Sequence, residues 1–171
     1  AKDFLQAQDA DDDHIPLIAP EVAGTSGPPP EFRKFEHFND EAHYIARCIR
    51  KWHRQGHSLN DIALIYGCHW QAVTLRRELN NIYIPNAWLK NIADKKGYDA
   101  NNERVPLITR QSSKGLEFDT VVLAGLGGLK DDKGNLENEV RLLYVGMTRA
   151  RQRLLITGSG ENWFLSGLQR I

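Results

Sequence analysis

The chain lacks the features that identify several protein classes. Its 171 residues include only two cysteines, Cys48 and Cys68, which form no closely spaced pair. A disulfide scaffold is therefore disfavoured, and a reducing cytoplasm is the expected location. The longest apolar run, residues 120–129, is rich in glycine and far shorter than the roughly 20 residues that span a bilayer. No signal peptide is visible at the polar, acidic amino terminus, and no membrane partner is expected.

The chain also lacks an excess of either charge. It contains 22 basic and 22 acidic residues, so its formal net charge is zero. Nucleic-acid-binding proteins usually show a basic excess or a basic patch, so any contact with DNA has to be local. The length and the ordinary composition fit a single globular domain with a real core.

Two kinds of site are missing as well. The sequence contains no Gly-x-x-x-x-Gly-Lys-Ser/Thr phosphate loop, and no acidic pair for magnesium can be assigned. The run at residues 125–130 has glycines and a lysine at the wrong spacing, and we interpret it as a turn. The cysteines and histidines between residues 48 and 69 include no Cys-x-x-Cys pair, so we predict no metal site.

The chain divides into two parts. Residues 1–31 are predicted to be an irregular leader, because an acidic run is followed by a Gly/Ser/Pro stretch with three consecutive prolines. This leader is either a tether or surface wrap, or simply poorly ordered. Residues 32–171 are predicted to form one domain.

Within that domain, apolar runs alternate with segments of helical periodicity. This alternation predicts an α/β fold with a mostly parallel sheet of about five strands, covered by helices on both faces. The predicted strands are 33–38, 62–66, 82–84, 107–109, 120–124 and 153–157. The predicted helices run from an Asn39 N-cap to about Gln55, over 70–80 and over 136–150, with a terminal turn at 161–168 and a connector at 86–103.

Two stretches carry the functional information. Residues 109–119 read Thr-Arg-Gln-Ser-Ser-Lys-Gly-Leu-Glu-Phe-Asp, a polar corner between two buried strands, and open α/β sheets bind ligands at such an edge. Residues 141–150 read Arg-Leu-Leu-Tyr-Val-Gly-Met-Thr-Arg-Ala. Together and in this order, they resemble the last two signature motifs of UvrD/Rep-type superfamily 1 DNA helicases. The resemblance implies the C-terminal RecA-like domain, a fold like that of P-loop NTPases but without a phosphate loop of its own.

The resemblance also implies which residues contact a nucleotide. Arg149 matches the arginine finger that reaches the γ-phosphate, Glu117 the glutamate near the ribose and phosphates, and Gly115 the glycine whose backbone approaches the nucleotide. Arg141 is a second candidate. A helical wheel over residues 136–150, at about 100° per residue, turns Arg149 roughly 140° away from the apolar face. The same wheel predicts an ion pair between Arg141 and Glu137.

A second set of residues is implied to contact single-stranded DNA. Thr109, Gln111 and Ser112 match polar positions that face the DNA backbone. Gln111 departs from the family, which commonly has histidine there, although glutamine can still donate a hydrogen bond. Tyr144 matches a family tyrosine, and it is equally consistent with a half-buried core aromatic residue.

The resemblance therefore implies an ATP-dependent DNA helicase. Its ATP and Mg²⁺ would be held mainly by an N-terminal RecA-like domain, and it would move 3′ to 5′ along single-stranded DNA. The connector at 86–103 replaces an inserted domain that larger members carry at this place. Two alternatives stay open: a non-catalytic RecA-like binding module, and the helicase half of a helicase–nuclease.

Overall fold

The structure is a computed structural model that describes residues 27–90, 94, 98–99, 101–129 and 136–161. The predicted leader up to residue 26 and the predicted terminal turn after Glu161 lie outside these ranges, and the division into leader and domain stays a prediction. The strands of the described ranges are β1 Glu31–Phe35, β2 Ile62–Tyr66, β3 Asn86–Leu89, β4 Val105–Thr109, β5 Phe118–Leu123 and β6 Ala150–Ser159. The helices longer than one turn are α1 Phe38–Arg54, α2 His69–Asn81 and α3 Leu136–Met147.

The strands form one six-stranded sheet in the order β1-β6-β5-β2-β4-β3, and every neighbouring pair is parallel. The predicted α/β fold with a parallel sheet is thus confirmed. The four strands expected at its centre, β2, β4, β5 and β6, are its four inner strands. All five residues of β2 are buried, as expected of a strand that is covered on both faces.

Each face of the sheet has its own apolar core. One core lies under α1 and α2, where Ile45, Ile49 and Leu75 pack on the sheet. The other lies under α3, where Leu143 packs against Val121 and neighbouring strand residues. Because helices cover both faces in the described part of the chain, ligands are expected where the parallel strands begin and end, which are called the amino edge and the carboxyl edge of the sheet below. None of the described helices is long and apolar enough to cross a membrane.

The edge strand β3 lies at other residues than predicted. The structure places β3 after Pro85, inside the predicted connector, whereas residues 82–84 form no strand. The backbone N–H groups of Ile82 and Ile84 both donate to the carbonyl of Leu79, at 3.2 and 2.9 Å, and so complete the end of α2. Donors used in this way cannot join a sheet ladder. Pairing begins beyond Pro85, whose carbonyl accepts from the N–H of Val105 at 2.9 Å.

The start of α1 is also corrected. The N-cap is His37, which offers no side-chain cap, and β1 ends at Phe35, three residues before its predicted end. Asn39 lies inside the first helical turn, and its side-chain oxygen accepts from Arg77 of α2 at 3.1 Å. The residue expected to cap α1 therefore ties it to the neighbouring helix.

A buried carboxylate lies where α1 meets the carboxyl edge of the sheet. Glu41 has no exposed surface, and its Oε1 accepts from the N–H of Gly125 and from the Thr157 hydroxyl, both at 2.7 Å. Its Oε2 has no partner among the described residues. Burial raises the pKa of the Glu41 carboxyl above its ordinary value of 4.5, while the hydrogen bonds from Thr157 and Gly125 lower it.

The raised pKa of Glu41 predicts a pH dependence of stability. Between 4.5 and the higher pKa of the folded state, the folded chain binds a proton that the unfolded chain has released. The stabilisation is therefore complete below that window and is lost as the pH rises through it. Glu41→Gln keeps an acceptor for Gly125 and Thr157 but cannot titrate, so its melting temperature should gain on the wild type as the pH rises. Parallel pH profiles that keep a constant offset would contradict this prediction.

Candidate nucleotide and DNA edges

The first motif crosses the sheet from one edge to the other. It leaves the carboxyl end of β4 at Thr109 and enters the amino end of β5 at Phe118. Because β4 and β5 are parallel and flank β2, the eight residues 110–117 must return to the opposite edge, and they do so without an intervening α-helix. The candidate residues are therefore divided between the two edges of the sheet.

The carboxyl-edge group consists of Thr109, Gln111 and Ser112. Residues 111–113 form a 3₁₀ turn, in which the Thr109 hydroxyl accepts from the N–H of Ser112 at 3.1 Å. The buried Ser113 hydroxyl donates to the carbonyl of Arg110 at 2.7 Å. These bonds fix the backbone of the turn and leave the Gln111 side chain exposed at its tip. The turn thus presents short polar groups on a constrained backbone.

Arg110 is a functional-site residue that no sequence motif singled out, and the structure shows it buried at the start of this turn. Its residue surface is only 6% exposed, and its Nη1 donates to the Glu139 carboxylate near the start of α3. Its Nε has no partner among the described residues. A Cβ on Gly67, the residue after β2, would meet Arg110 Nη2, so a larger residue there would have to displace the guanidinium. One ion pair, with its guanidinium buried beside the end of β2, therefore connects the polar turn to α3.

The amino-edge group brings the two motifs into direct contact. Arg149 Nη1 donates to the carbonyl of Leu116 at 3.2 Å, and the N–H of Phe118 donates to the carbonyl of Arg149 at 2.9 Å. Glu117 accepts from Arg151 at 3.0 and 3.1 Å in an exposed ion pair. Gly115 has a φ of 81°, a conformation that side chains disfavour, and open space beside its Cα. Gly115, Glu117 and Arg149 thus lie along one edge.

The helical wheel assumed that Arg149 lies on a helix, and this assumption was wrong. Helix α3 ends at Met147, and Ala150 already belongs to β6, so Arg149 lies in the turn between them. Its Nε donates to the carbonyl of Val145 at 3.0 Å, and its Nη2 donates to the Thr148 hydroxyl at 3.1 Å. Arg149 is half-buried and held by its own chain, rather than projecting from a helix into solvent.

Arg141 belongs to neither edge group. It lies on the exposed side of α3, about 9 Å of helix axis before Met147, and its predicted ion pair with Glu137 is present at 3.1 Å. Tyr144, one turn further along the helix, is 53% exposed, which rules out the core role considered for it. The outer face of α3 therefore carries a guanidinium and an aromatic ring between the two edges.

The described residues contain no group of three or more histidines, cysteines, aspartates or glutamates that could hold a metal ion. The chemistry offered by the amino edge is instead that of guanidinium donors, an exposed carboxylate and an open glycine backbone.

The chain is similar to a known family and to several helicases. The model of the UvrD-like helicase C-terminal domain matches residues 1–93 and 86–161. The ATP-dependent DNA helicase Rep of Buchnera aphidicola subsp. Schizaphis graminum is 36% identical over 115 residues, which cover 48% of this chain and 18% of that protein. DNA helicase II of Escherichia coli K12 is 44% identical over 66 residues, which cover 34% of this chain and 9% of that protein. The chain thus spans less than a fifth of the length of these curated relatives.

A solved structure supports the same assignment at the level of the fold. The C-terminal domain of a possible DNA helicase from Lactobacillus plantarum WCFS1 superposes with a TM-score of 0.62 at 18% identity, covering 82% of this chain and 84% of that one. The family match extends over most of the chain and includes both motifs that meet at the amino edge. This chain therefore belongs to the family of UvrD-like helicase C-terminal domains.

Proposed function

We propose that this chain is the C-terminal motor domain of an ATP-dependent DNA helicase that moves 3′ to 5′ along single-stranded DNA. The observation that carries the proposal is the hydrogen bond between Arg149 Nη1 and the carbonyl of Leu116. It joins the two helicase-like motifs at one edge of the sheet, while the polar turn after Thr109 lies at the other. Nucleotide and DNA would then be bound at opposite edges of one rigid sheet. The names of the two relatives reported above, an ATP-dependent DNA helicase Rep and a DNA helicase II, support the activity.

The residues at the amino edge fit part of an ATP site. Arg149 supplies a planar, always charged guanidinium suited to phosphate oxygens. The open backbone beside Gly115 allows close approach of a ligand, and the Glu117 carboxylate can accept hydrogen bonds from ribose hydroxyls. When bound, ATP would supply the phosphoanhydride bond that is hydrolysed, and Mg²⁺ would supply the positive charge that activates it. We expect the phosphate loop and the magnesium ligands on an N-terminal RecA-like domain of the same protein.

Arg149 is held by contacts within its own chain. Its three hydrogen bonds restrict the guanidinium to a few conformations, so less rotamer entropy remains to be lost when it meets a phosphate. Two of its acceptors are neutral carbonyls, of Val145 and Leu116, and a phosphate oxygen is a stronger partner than either. Closure of the two RecA-like domains would exchange these bonds for phosphate contacts. Arg141, on the outer face of α3, is the second candidate cation.

The carboxyl edge is assigned to single-stranded DNA. The Gln111 amide and the hydroxyls of Thr109 and Ser112 can hydrogen-bond phosphate oxygens, which position a strand without reading its sequence. Arg110 and Glu139 hold this turn against α3, the helix that precedes Arg149. The connection between the two edges therefore consists of one buried ion pair and one helix.

The proposal is tested on the full-length protein. Its ATPase rate should rise on addition of single-stranded DNA, and it should unwind a duplex that carries a 3′ single-stranded tail but not one with a 5′ tail. Gln111→Ala should weaken DNA stimulation, whereas Arg104→Ala, at an exposed position away from both motifs, should not. An ATPase that is indifferent to DNA would overturn the motor assignment, and unwinding from a 5′ tail would overturn the polarity.

The isolated chain of 171 residues should show no ATPase activity. Its sequence contains no phosphate loop, and the described residues include no group able to hold a metal ion, so the amino-edge residues alone are not expected to bind and hydrolyse ATP. The measurement is steady-state phosphate release by the purified chain, with Arg149→Ala purified in parallel as the control for contaminants. Turnover by the wild type that Arg149→Ala abolishes would show that the chain holds a complete site, contrary to the proposal.

A further inference from the structure

A basic surface lies apart from both edge groups. It consists of Arg47, Arg50, Lys51 and Arg54 of α1 and Arg33 of β1, and it is called the α1 basic face below. The four helix positions follow the spacing i, i+3, i+4, i+7, so they line one side of α1. Arg33 lies within interaction distance of Tyr44 and Cys48 on the same side.

This surface concentrates positive charge on a chain whose net charge is zero. Elsewhere on the described chain, five Lys or Arg side chains form ion pairs with carboxylates: Lys34, Arg77, Arg110, Arg141 and Arg151. On the α1 basic face, no side chain forms an ion pair with a described carboxylate. Of the described carboxylates, Glu31 and Asp40 lie beside it, so five cations and two carboxylates leave a local charge of +3. A local basic patch of this kind is what a neutral chain needs in order to hold nucleic acid.

Helix energetics do not account for the whole row. Lys51 and Arg54 lie in the last turn of α1, where the helix dipole favours cations. Arg47 and Arg50 lie before that turn, and like charges spaced i, i+3 and i, i+4 destabilise a helix. The opposite face of α1 is buried in the core, with Ile45 and Ile49 fully covered, so the helix cannot rotate to disperse its charges. The four helix cations are therefore held in a rigid line, in which Arg47, Lys51 and Arg54 are exposed and Arg50 is half-buried.

We propose that the α1 basic face binds the phosphate backbone of duplex DNA. From Arg47 to Arg54 the row is about 10.5 Å long, and a duplex of that length carries about six phosphates. Single-strand sites combine cations with aromatic side chains on which bases stack. The aromatic ring on this face, Tyr44, is half-buried and packs against Phe35, and the exposed large apolar side chains of the described chain lie off α1, so duplex DNA is the better match. This site goes beyond the proposed function, because it shares no residue with the polar turn and needs no ATP.

The experiment compares variants of the chain in DNA titrations at several salt concentrations. The test variant is Arg47→Ala with Lys51→Ala. The matched control is Lys90→Ala with Arg104→Ala, which removes the same charge from exposed positions outside α1. Losing two phosphate contacts should flatten the slope of log K against log salt by about 1.8 for a blunt duplex. The fall in affinity between roughly 50 and 200 mM salt then becomes about twelvefold smaller. Melting temperatures check that both variants fold.

The outcomes separate the candidates. A flatter slope on duplex DNA in the test variant alone supports the site. An unchanged slope in the test variant overturns the site, because no phosphate contact has then been lost. Equal flattening in the control variant also overturns it, because the charges then act only through the overall electrostatic field. Competition by polyglutamate as effective as that by duplex DNA of equal charge would also overturn it, since the face would then fit an acidic protein. Gln111→Ala should leave duplex binding unchanged while weakening single-strand binding, so either site can fail without the other.

Discussion

Arg149→Ala should reduce ATP hydrolysis by the full-length protein at least a hundredfold. Arginine fingers contribute about 10³–10⁵ to the rate where they have been measured, because their charge is needed in the transition state. Binding of single-stranded DNA without nucleotide should persist, since the polar turn lies at the opposite edge of the sheet. Arg149→Lys should rescue little, because an ammonium group cannot replace a planar guanidinium that donates to both Val145 and Leu116.

Arg149→Ala should also lower the stability of the fold, which the loss of a solvent-facing arginine would not do. Losing the bonds to Val145 and Leu116 should lower the free energy of unfolding by about 1–2 kcal/mol, or a few degrees in melting temperature. ATPase assays should therefore be run well below the melting temperature of the variant. Arg151→Ala is a useful companion, because it breaks only the exposed pair with Glu117 and should leave stability almost unchanged. Near wild-type turnover by folded Arg149→Ala would refute the finger assignment.

The fold was largely predictable because its inner strands are buried on both faces. A strand such as β2 has to be apolar at every position, and such a run between polar segments is easy to recognise. The edge strand β3 is only half-buried, and its sequence Asn-Ala-Trp-Leu carries no such pattern. The start of β3 depends on backbone hydrogen bonds: the N–H groups of residues 82 and 84 complete the end of α2, and pairing with β4 begins at Pro85. Apolar periodicity carries no information on these bonds.

The candidate site was less predictable, because side-chain contacts between distant segments decide its geometry. The periodicity of α3 continues smoothly into Ala150, so nothing in the pattern marks the end of the helix at Met147. The carbonyl of Leu116 that receives Arg149 is 33 residues away in the chain. In the sequence, Arg110 is one of several polar residues in the turn after β4. Its burial beside Gly67 and its ion pair with Glu139 depend on contacts between segments that are distant in the chain.

The buried pair of Arg110 and Glu139 leads to the largest expected effect on stability. Removing one partner leaves the other charge in a poorly solvated place, which typically costs 3–5 kcal/mol. Arg110→Ala should lower the free energy of unfolding by about 3 kcal/mol, near the lower limit, because the Glu139 side chain keeps 23% of its exposure to water. In a chain of this size that shift lowers the melting temperature by about 6–12 °C.

Replacing both partners tests whether the pair acts through its charges. Arg110→Met combined with Glu139→Leu removes a buried and a half-buried charge together, and apolar replacements of an ion pair are often neutral or stabilising. The double variant should therefore recover to within about 1 kcal/mol of the wild type. Gly67→Ala offers an independent check, since its methyl group would displace the guanidinium without removing any charge. If Arg110→Ala melts at the wild-type temperature, the pair is a solvent-screened contact and the turn is held by its backbone alone. A double variant no more stable than Arg110→Ala would show that shape, rather than charge, makes Arg110 necessary.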